Sequence, residues 1–193
     1  MEHAINYFSK FKPKEIGIYV ETHNRNAIGL YKKYGFKNYY ESWHYIVDLS
    51  SFDHEILPEL KLDDYSIKLI DVHDLLKISN IFLEMNFTEM KSGLESNNQS
   101  KVPRLRFLGL LKNNNLVPFA RFAPNFSRCR PFHYTSIDDV DPFIELMKRY
   151  KLPDKDYVRI TFDKYRELAN LFAKRNYKKH HHLYKLIKPM SDL

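Results

Sequence analysis

The sequence predicts an α/β (α+β) protein in which a sheet is flanked by helices. The first observation is that segments with the two-residue apolar period of strands alternate along the chain with segments of helical period. The second is a composition of 44% apolar and 28% charged residues, which is typical of a globular protein that buries a core. A length of 193 residues fits one large domain or slightly more than one.

The same sequence argues against membrane and secreted proteins. No apolar run approaches the roughly 20 residues of a membrane helix, and the N-terminus mixes helical spacing with scattered charge, unlike a secretory signal. Cys129 is the single cysteine, so an internal disulfide is impossible and a cytoplasmic location is expected. We therefore expect no membrane partner.

The first quarter of the chain is predicted to form helix, strand, helix, strand. Pro13 ends the first helix, because the residue before a proline avoids the helical region. A strand with alternating apolar residues follows at 15–21. Asn24 or Asn26 offers a side-chain cap for the next helix, and Gly35 suits the left-handed residue that ends it. An aromatic, β-branched strand comes next.

The rest of the chain continues with further strands and helices. Residues 50–62 lack a clear period and are predicted to be a linker. Asp71 or Asp74 can cap a helix, Asp141 followed by proline can begin another, and Asp163 can cap a third. A weaker helix is predicted at 88–100. The predicted strands lie at 65–70, 105–112, 116–123, 130–137, 157–162 and 180–187.

Seven positions around the helix that ends at Gly35 form a spaced pattern, V-x-x-x-N-x-x-A-x-x-L-Y-x-x-x-G-F. The positions are Val20, Asn24, Ala27, Leu30, Tyr31, Gly35 and Phe36. A generic strand–helix–strand unit explains the apolar positions and Gly35, but not Asn24 and the Leu30-Tyr31 pair as well. The pattern resembles the C-terminal half of a GNAT-type N-acetyltransferase domain. The resemblance implies a GNAT-like acyl-CoA N-acyltransferase fold, with a mixed, mostly antiparallel sheet.

The resemblance also implies a division of the chain. In the family, a strand and a Gln/Arg-x-x-Gly-x-Gly/Ala loop precede the helix with which this sequence begins. We therefore expect residues 1–49 to be the C-terminal half of a GNAT domain whose front is truncated, and residues 50–62 to be a linker. Residues 63–193 have the family's order of elements and are predicted to be a second, degenerate GNAT-like domain.

A short internal repeat supports this tandem arrangement. Residues 171–177 align with residues 30–36 at a constant offset of 141 residues, and strands are predicted on both sides of each segment. Chance similarity between two amphipathic helices explains the apolar matches. It explains less easily why Asn176-Tyr177 stands where Gly35-Phe36 stands.

The resemblance implies transfer of an acetyl group from acetyl-CoA, as co-substrate, to an amine of a protein or a small molecule. The amine must lose a proton before it attacks, and the departing thiolate needs a proton donor. By resemblance, Tyr31 is the predicted catalytic donor, and Asn24 and Tyr31 are the predicted cofactor-binding residues. A core tyrosine is the alternative for Tyr31. Glu21 and His23 are candidates for the base, with solvated loop residues as the alternative.

The second predicted domain has no equivalent machinery. Asp138, Asp139 and Asp141 occupy the segment that would cradle a diphosphate, and their charge would repel it. Phe172 replaces the tyrosine donor. We therefore expect this domain to be non-catalytic and not to bind CoA.

The remaining patterns suggest an alternative function. Residues 151–193 contain 11 Lys or Arg against 5 Asp or Glu, so the net charge of +7 is concentrated there. A non-catalytic interaction module with a basic C-terminal face is the alternative. No nucleic-acid motif accompanies the charge, so nucleic acid is not an expected partner. His180 and His182 share a strand face without a third ligand, so no metal is predicted. A homodimer is left open.

Overall fold

Seven α-helices and eight strands are formed by the residues that this computed structural model describes, which are 1–55, 60–81, 87–98 and 105–190. The helices are α1 (Glu2–Ser9), α2 (Arg25–Lys33), α3 (Leu49–Glu55), α4 (Val72–Ile81), α5 (Phe87–Asn98), α6 (Val140–Met147) and α7 (Arg166–Lys174). The strands are β1 (Glu15–Glu21), β2 (Lys37–Asp48), β3 (Tyr65–Leu69), β4 (Arg106–Lys112), β5 (Asn115–Ala123), β6 (Arg128–His133), β7 (Tyr157–Asp163) and β8 (Lys178–Pro189).

All eight strands belong to one sheet, in the order β1-β8-β2-β7-β6-β5-β4-β3. Neighbouring strands are antiparallel, except that β6 and β7 are parallel and pair at only two positions, Arg128 with Arg159 and Cys129 with Ile160. The predicted mixed, mostly antiparallel sheet flanked by helices is therefore confirmed.

Strands from the two ends of the chain are interleaved at one side of this sheet. β2 pairs with β7 on one edge and with β8 on the other, and β1 pairs with β8. Residues 1–49 therefore share their ladders with the last part of the chain instead of forming a sheet of their own. The predicted division at residues 50–62 stays a prediction.

Two strand–helix–strand units of equal dimensions meet in this interleaved region. The unit β1–α2–β2 has elements of 7, 9 and 12 residues, and so has the unit β7–α7–β8. Gly35 has a φ of +84° after the first helix, and Asn176 has +56° at the equivalent place. Asparagine is among the few other residues that tolerate this conformation. The backbones thus match, while the tandem origin that the sequence predicts stays a prediction.

Helices cover one face of the interleaved strands. Val158, Ile160 and Phe162 of β7 are buried on this face, and Phe162 contacts the rings of Tyr45 and Phe172. The same cluster includes buried residues of α6 and α7, while α1 and α2 pack on β1. Farther along the sheet, α4 and α5 contribute to a second cluster with β4 and β5. The face of β1, β8, β2 and β7 opposite α2 and α7, called here the open face, carries polar side chains.

Several predicted element ends differ from the structure for local reasons. Part of the predicted linker is the helix α3, because the Asp48 Oδ1 accepts a bond from the Ser50 N–H at 2.9 Å and Phe52 is buried. Asp141 lies inside α6 and does not begin it. Asp163 ends β7, so Tyr165 occupies the cap position of α7.

Other elements are shorter than predicted. The first helix ends at Ser9, and the predicted strand at 130–137 is the six-residue β6. The predicted cap Asp71 is confirmed, since its Oδ1 accepts from the Asp74 N–H at 2.8 Å. Part of the helix predicted at 88–100 and part of the linker lie outside the described residues.

Candidate functional site

Asn24 caps α2, as the sequence predicts for one of two asparagines. Its Oδ1 accepts a hydrogen bond from the Ala27 N–H at 3.1 Å, which satisfies one of the free donors in the first helical turn. The side chain is exposed to solvent. A structural role for Asn24 is thereby established, and its predicted contact with a cofactor stays a prediction.

Tyr31 lies on the covered side of the sheet. It is half-buried against Val20, Phe36 and Leu186, and its ring centroid is 6.1 Å from that of Phe36. Two cavities among the described residues, of about 370 and 500 Å³, are lined by neither Tyr31 nor Asn24. The predicted catalytic role of Tyr31 therefore remains a prediction beside its packing role.

The cavity of about 370 Å³ lies on the open face and is called here the histidine–arginine cavity. Strand register explains how it forms. His44 is paired with His181 of β8 on one side and with Thr161 of β7 on the other, so all three side chains point the same way. Its lining residues are Glu21, His44, Tyr45, Arg128, Arg159, Thr161, His180, His181 and Leu183.

A carboxylate–histidine pair lines this cavity. The Glu21 Oε1 is 2.5 Å from the His181 Nδ1, and the ring of His44 meets the ring of His181 edge-on at 5.6 Å. Glu21 was one of the two candidate bases in the sequence. The other, His23, has a side chain that is 82% exposed and lies 3.9 Å from Glu21.

His44 is held neutral at physiological pH. Burial and, next, the positive charge of Arg130 lower the pKa of its imidazole to about 4. Its Nε2 is 3.3 Å from the Ser42 Oγ. The sequence did not single out His44, because nothing local distinguishes it from the other polar residues of an aromatic strand.

The sheet curls around the open face. Three strands separate β1 from β6, which would place them roughly 19 Å apart in a flat sheet. Even so, the Arg130 Nη2 of β6 donates to the Tyr19 Oη of β1 at 3.1 Å, and the Tyr19 Oη is 3.0 Å from the Tyr40 Oη. Burial, followed by the bond to Tyr19, raises the pKa of Tyr40 well above its usual range. The open face is therefore concave, and its surface between β1 and β6 is called here the inner wall.

Arginines are concentrated on this inner wall. Burial and the charges of Arg130, Arg121 and Arg159 lower the pKa of Arg128. Within the described ranges, none of these four guanidinium groups forms a salt bridge with a carboxylate. By contrast, Arg166 bonds to Glu41 and Arg175 bonds to Asp141.

The predicted basic C-terminal face is partly used for internal contacts. Arg175 is 2.7 Å from the Asp141 Oδ2, and the Lys188 Nζ donates to the Tyr34 carbonyl at 2.8 Å. Lys185 lies over the rings of Tyr19 and Tyr40. The densest positive charge is instead found on the inner wall, and three of its four arginines precede residue 151.

The three consecutive histidines at 180–182 are divided between the two faces of β8. His181 contacts Glu21 on the open face, and the His182 Nε2 is 3.0 Å from the Glu41 Oε2 on the covered face.

Over the described part of the chain, no three His, Cys, Asp or Glu side chains come together to hold a metal ion. In that same part, every helix is too short or too polar to cross a membrane.

The start of α6 does not fit a coenzyme diphosphate. Asp139 is 2% exposed, and its Oδ1 accepts bonds from the Tyr65 hydroxyl at 2.8 Å and the Lys112 Nζ at 3.2 Å. Asp141 is also buried there. Two carboxylates at this helix end would repel a diphosphate, which needs free N–H donors.

Comparison with solved structures identifies the fold class. A functionally unknown conserved protein from Staphylococcus epidermidis superposes with a TM-score of 0.68 at 10% identity, over 98% of this chain and 78% of that one. A GCN5-related N-acetyltransferase from Sphaerobacter thermophilus gives 0.62 at 13% identity, over 93% and 62%. A protein from Drosophila gives 0.54 at 11% identity, over 90% and 61%.

The fold is therefore GNAT-like. The chain spans about three fifths of the length of the second and third of these proteins. No protein-family model and no curated protein sequence matches it. At these identities the likeness concerns the fold alone.

Proposed function

We propose that this chain is a GNAT-type N-acetyltransferase that transfers the acetyl group of acetyl-CoA to an amine of a protein or a small molecule. One observation carries the proposal. The seven spaced positions from Val20 to Phe36 lie on a strand, a helix capped by Asn24 and a left-handed turn at Gly35. This unit belongs to a sheet whose fold is like that of the Sphaerobacter thermophilus N-acetyltransferase.

The Glu21–His181 pair supplies the base in this proposal. An amine is protonated at neutral pH and attacks only after losing a proton. The Glu21 carboxylate accepts a hydrogen bond from the Nδ1–H of His181 at 2.5 Å. The proton is assigned to Nδ1 because a carboxylate can only accept this bond. His181 then presents the lone pair of its Nε2 as the proton acceptor.

The free edge of β1 is the boundary that the open and covered faces of the sheet share. Among the described residues, β1 pairs with β8 alone, so its outer edge has unpaired N–H groups. Such groups can stabilise the negative charge that develops on a thioester carbonyl. Glu21 lies on the open side of this edge strand, and α2, with Tyr31 and Asn24, lies on the covered side. Acetyl-CoA, when bound, supplies the activated acetyl group.

Tyr31 donates a proton to the departing thiolate in this proposal, and Asn24 contacts the coenzyme. The test is calorimetric titration with acetyl-CoA, followed by assay of free CoA release with peptide, polyamine and small aromatic amines. Tyr31→Phe should lower kcat on the order of a hundredfold, with KM unchanged. Tyr7→Phe is the matched control, because Tyr7 is an exposed tyrosine of α1, outside the proposed machinery.

The outcomes separate the two candidate functions. Heat on acetyl-CoA addition, together with an amine-dependent release of CoA, supports the acetyltransferase. The absence of any acetyl-CoA binding refutes it and leaves the non-catalytic interaction module. If Tyr31→Phe and Tyr7→Phe had equal rates, the acetyltransferase activity would stand, but Tyr31 would not be its proton donor.

A further inference from the structure

We propose that the histidine–arginine cavity binds the phosphate group of a small organic phosphate, with Arg128 and Arg159 as its direct contacts. This inference concerns the open face of the sheet and does not rest on the acetyltransferase activity. It follows from strand register, from unpaired charge and from the size of the cavity.

Strand register places the two guanidinium groups side by side. Arg128 of β6 and Arg159 of β7 are direct partners in the only parallel ladder of the described residues. Partnered residues of neighbouring strands project from the same face, with backbones about 4.8 Å apart. Both side chains line the same cavity, and both residues are exposed. Two like charges so placed repel each other unless an anion lies between them.

The surroundings add positive charge and hydrogen-bond donors without a counter-ion. Arg121 and Arg130 lie close enough to act electrostatically on Arg128. Glu21 is the single carboxylate among the lining residues, and it is already bonded to His181. None of the four arginines has a carboxylate salt-bridge partner within the described ranges. Burial is the main cause of the lowered pKa of His44, and the charges of Arg130 and Arg128 contribute to it.

Phosphate fits this arrangement better than a carboxylate does. A phosphate monoester carries close to two negative charges and can accept paired N–H donors from two guanidinium groups at once. A carboxylate carries one charge and has two oxygens. The cavity of about 370 Å³ falls in the range of small-ligand sites, so the phosphate would be part of a larger molecule.

The direct test uses pyrophosphate and inorganic phosphate as probes in calorimetric titrations at low and moderate salt. We expect binding that weakens as salt increases. Arg128→Gln and Arg159→Gln should each weaken it by about tenfold or more. Arg149→Gln is the matched control, because Arg149 is an exposed arginine outside the cavity. This control should bind pyrophosphate as the unchanged chain does.

A second measurement separates binding from folding. Removing one of two repelling charges should leave the melting temperature of the ligand-free protein unchanged or higher, whereas loss of a structural arginine would lower it. A failure of pyrophosphate to bind, an equal loss of binding in Arg149→Gln, or a lower melting temperature in both cavity variants would overturn the proposal.

Two further arms identify the source of the phosphate. If pyrophosphate competes with acetyl-CoA, the cavity holds the phosphates of the coenzyme. If both bind together, the phosphate belongs to a second molecule, such as the acceptor. If pyrophosphate binds and acetyl-CoA does not, the acetyltransferase proposal is refuted and the phosphate site is supported. If acetyl-CoA binds and pyrophosphate does not, the phosphate site is refuted and the acetyltransferase proposal is unaffected.

Discussion

Replacing Gly35 by alanine is expected to destabilise the protein by about 1.5–3.5 kcal/mol. Gly35 has a φ of +84°, a conformation that costs a residue with a Cβ about 1–2 kcal/mol. A Cβ there would lie 2.9 Å from the Lys188 Nζ, whose bond to the Tyr34 carbonyl is 2.8 Å long. The lysine end can move aside, and the loss of its bond adds about 0.5–1.5 kcal/mol.

The matched control is the other glycine of the same unit. Gly29 lies inside α2, and a Cβ added there meets no heavy atom within 4 Å. Gly29→Ala should therefore stabilise the protein by about 0.5–1 kcal/mol, because alanine loses less backbone freedom on folding.

The assay is urea unfolding at 25 °C, followed by circular dichroism and by the fluorescence of Trp43. For a chain of this size, the Gly35→Ala change corresponds to a decrease in Tm of roughly 3–14 °C. The reasoning would be refuted if Gly35→Ala were as stable as the unchanged chain, or if both alanine variants moved in the same direction.

Two more predictions concern charged groups. Arg175→Ala should lower the free energy of unfolding by roughly 2–3 kcal/mol, because Asp141 is 9% exposed and loses its bond of 2.7 Å. Adding Asp141→Asn should recover part of this loss in urea unfolding, and no loss would contradict the buried pair. The pKa of His44 is lowered to about 4 in the folded protein. Below about pH 6.5 the unfolded chain binds a proton there that the folded chain does not. The free energy of unfolding should therefore decrease as the pH is lowered from about 6.5 to 4. His44→Gln should reduce this slope in urea titrations at several pH values, and an unchanged slope would refute the assignment.

Local features of the fold were predictable from the sequence because their causes lie within a few residues. Asn24 caps a helix whose first turn offers free N–H groups, and Gly35 takes a conformation that few other residues adopt. Asp163 was wrong as a cap, because β7 continues through it and pairs it with Ser42. That pairing is decided by a distant strand, so no local signal reveals it.

The histidine–arginine cavity depends on strand register between distant segments. The sequence indicated Glu21 as a candidate base, but its partner His181 is 160 residues away in the chain. A shift of one residue in either ladder would turn these side chains to the covered face. The alternation of Arg128 and Arg130 around the buried Cys129 was the one available signal, since it places both arginines on a single strand face.

The position of β8 in the sheet also determines when the fold can close during synthesis. β1 and β2 leave the ribosome before β8, yet both pair with β8, which spans Lys178–Pro189. Their backbone groups have no ladder partner on those edges until the last dozen residues of this sheet have been translated. Exposed strand edges promote aggregation of nascent chains. In this architecture, the strands of the sheet that are synthesised first are therefore exposed for the longest time before they pair.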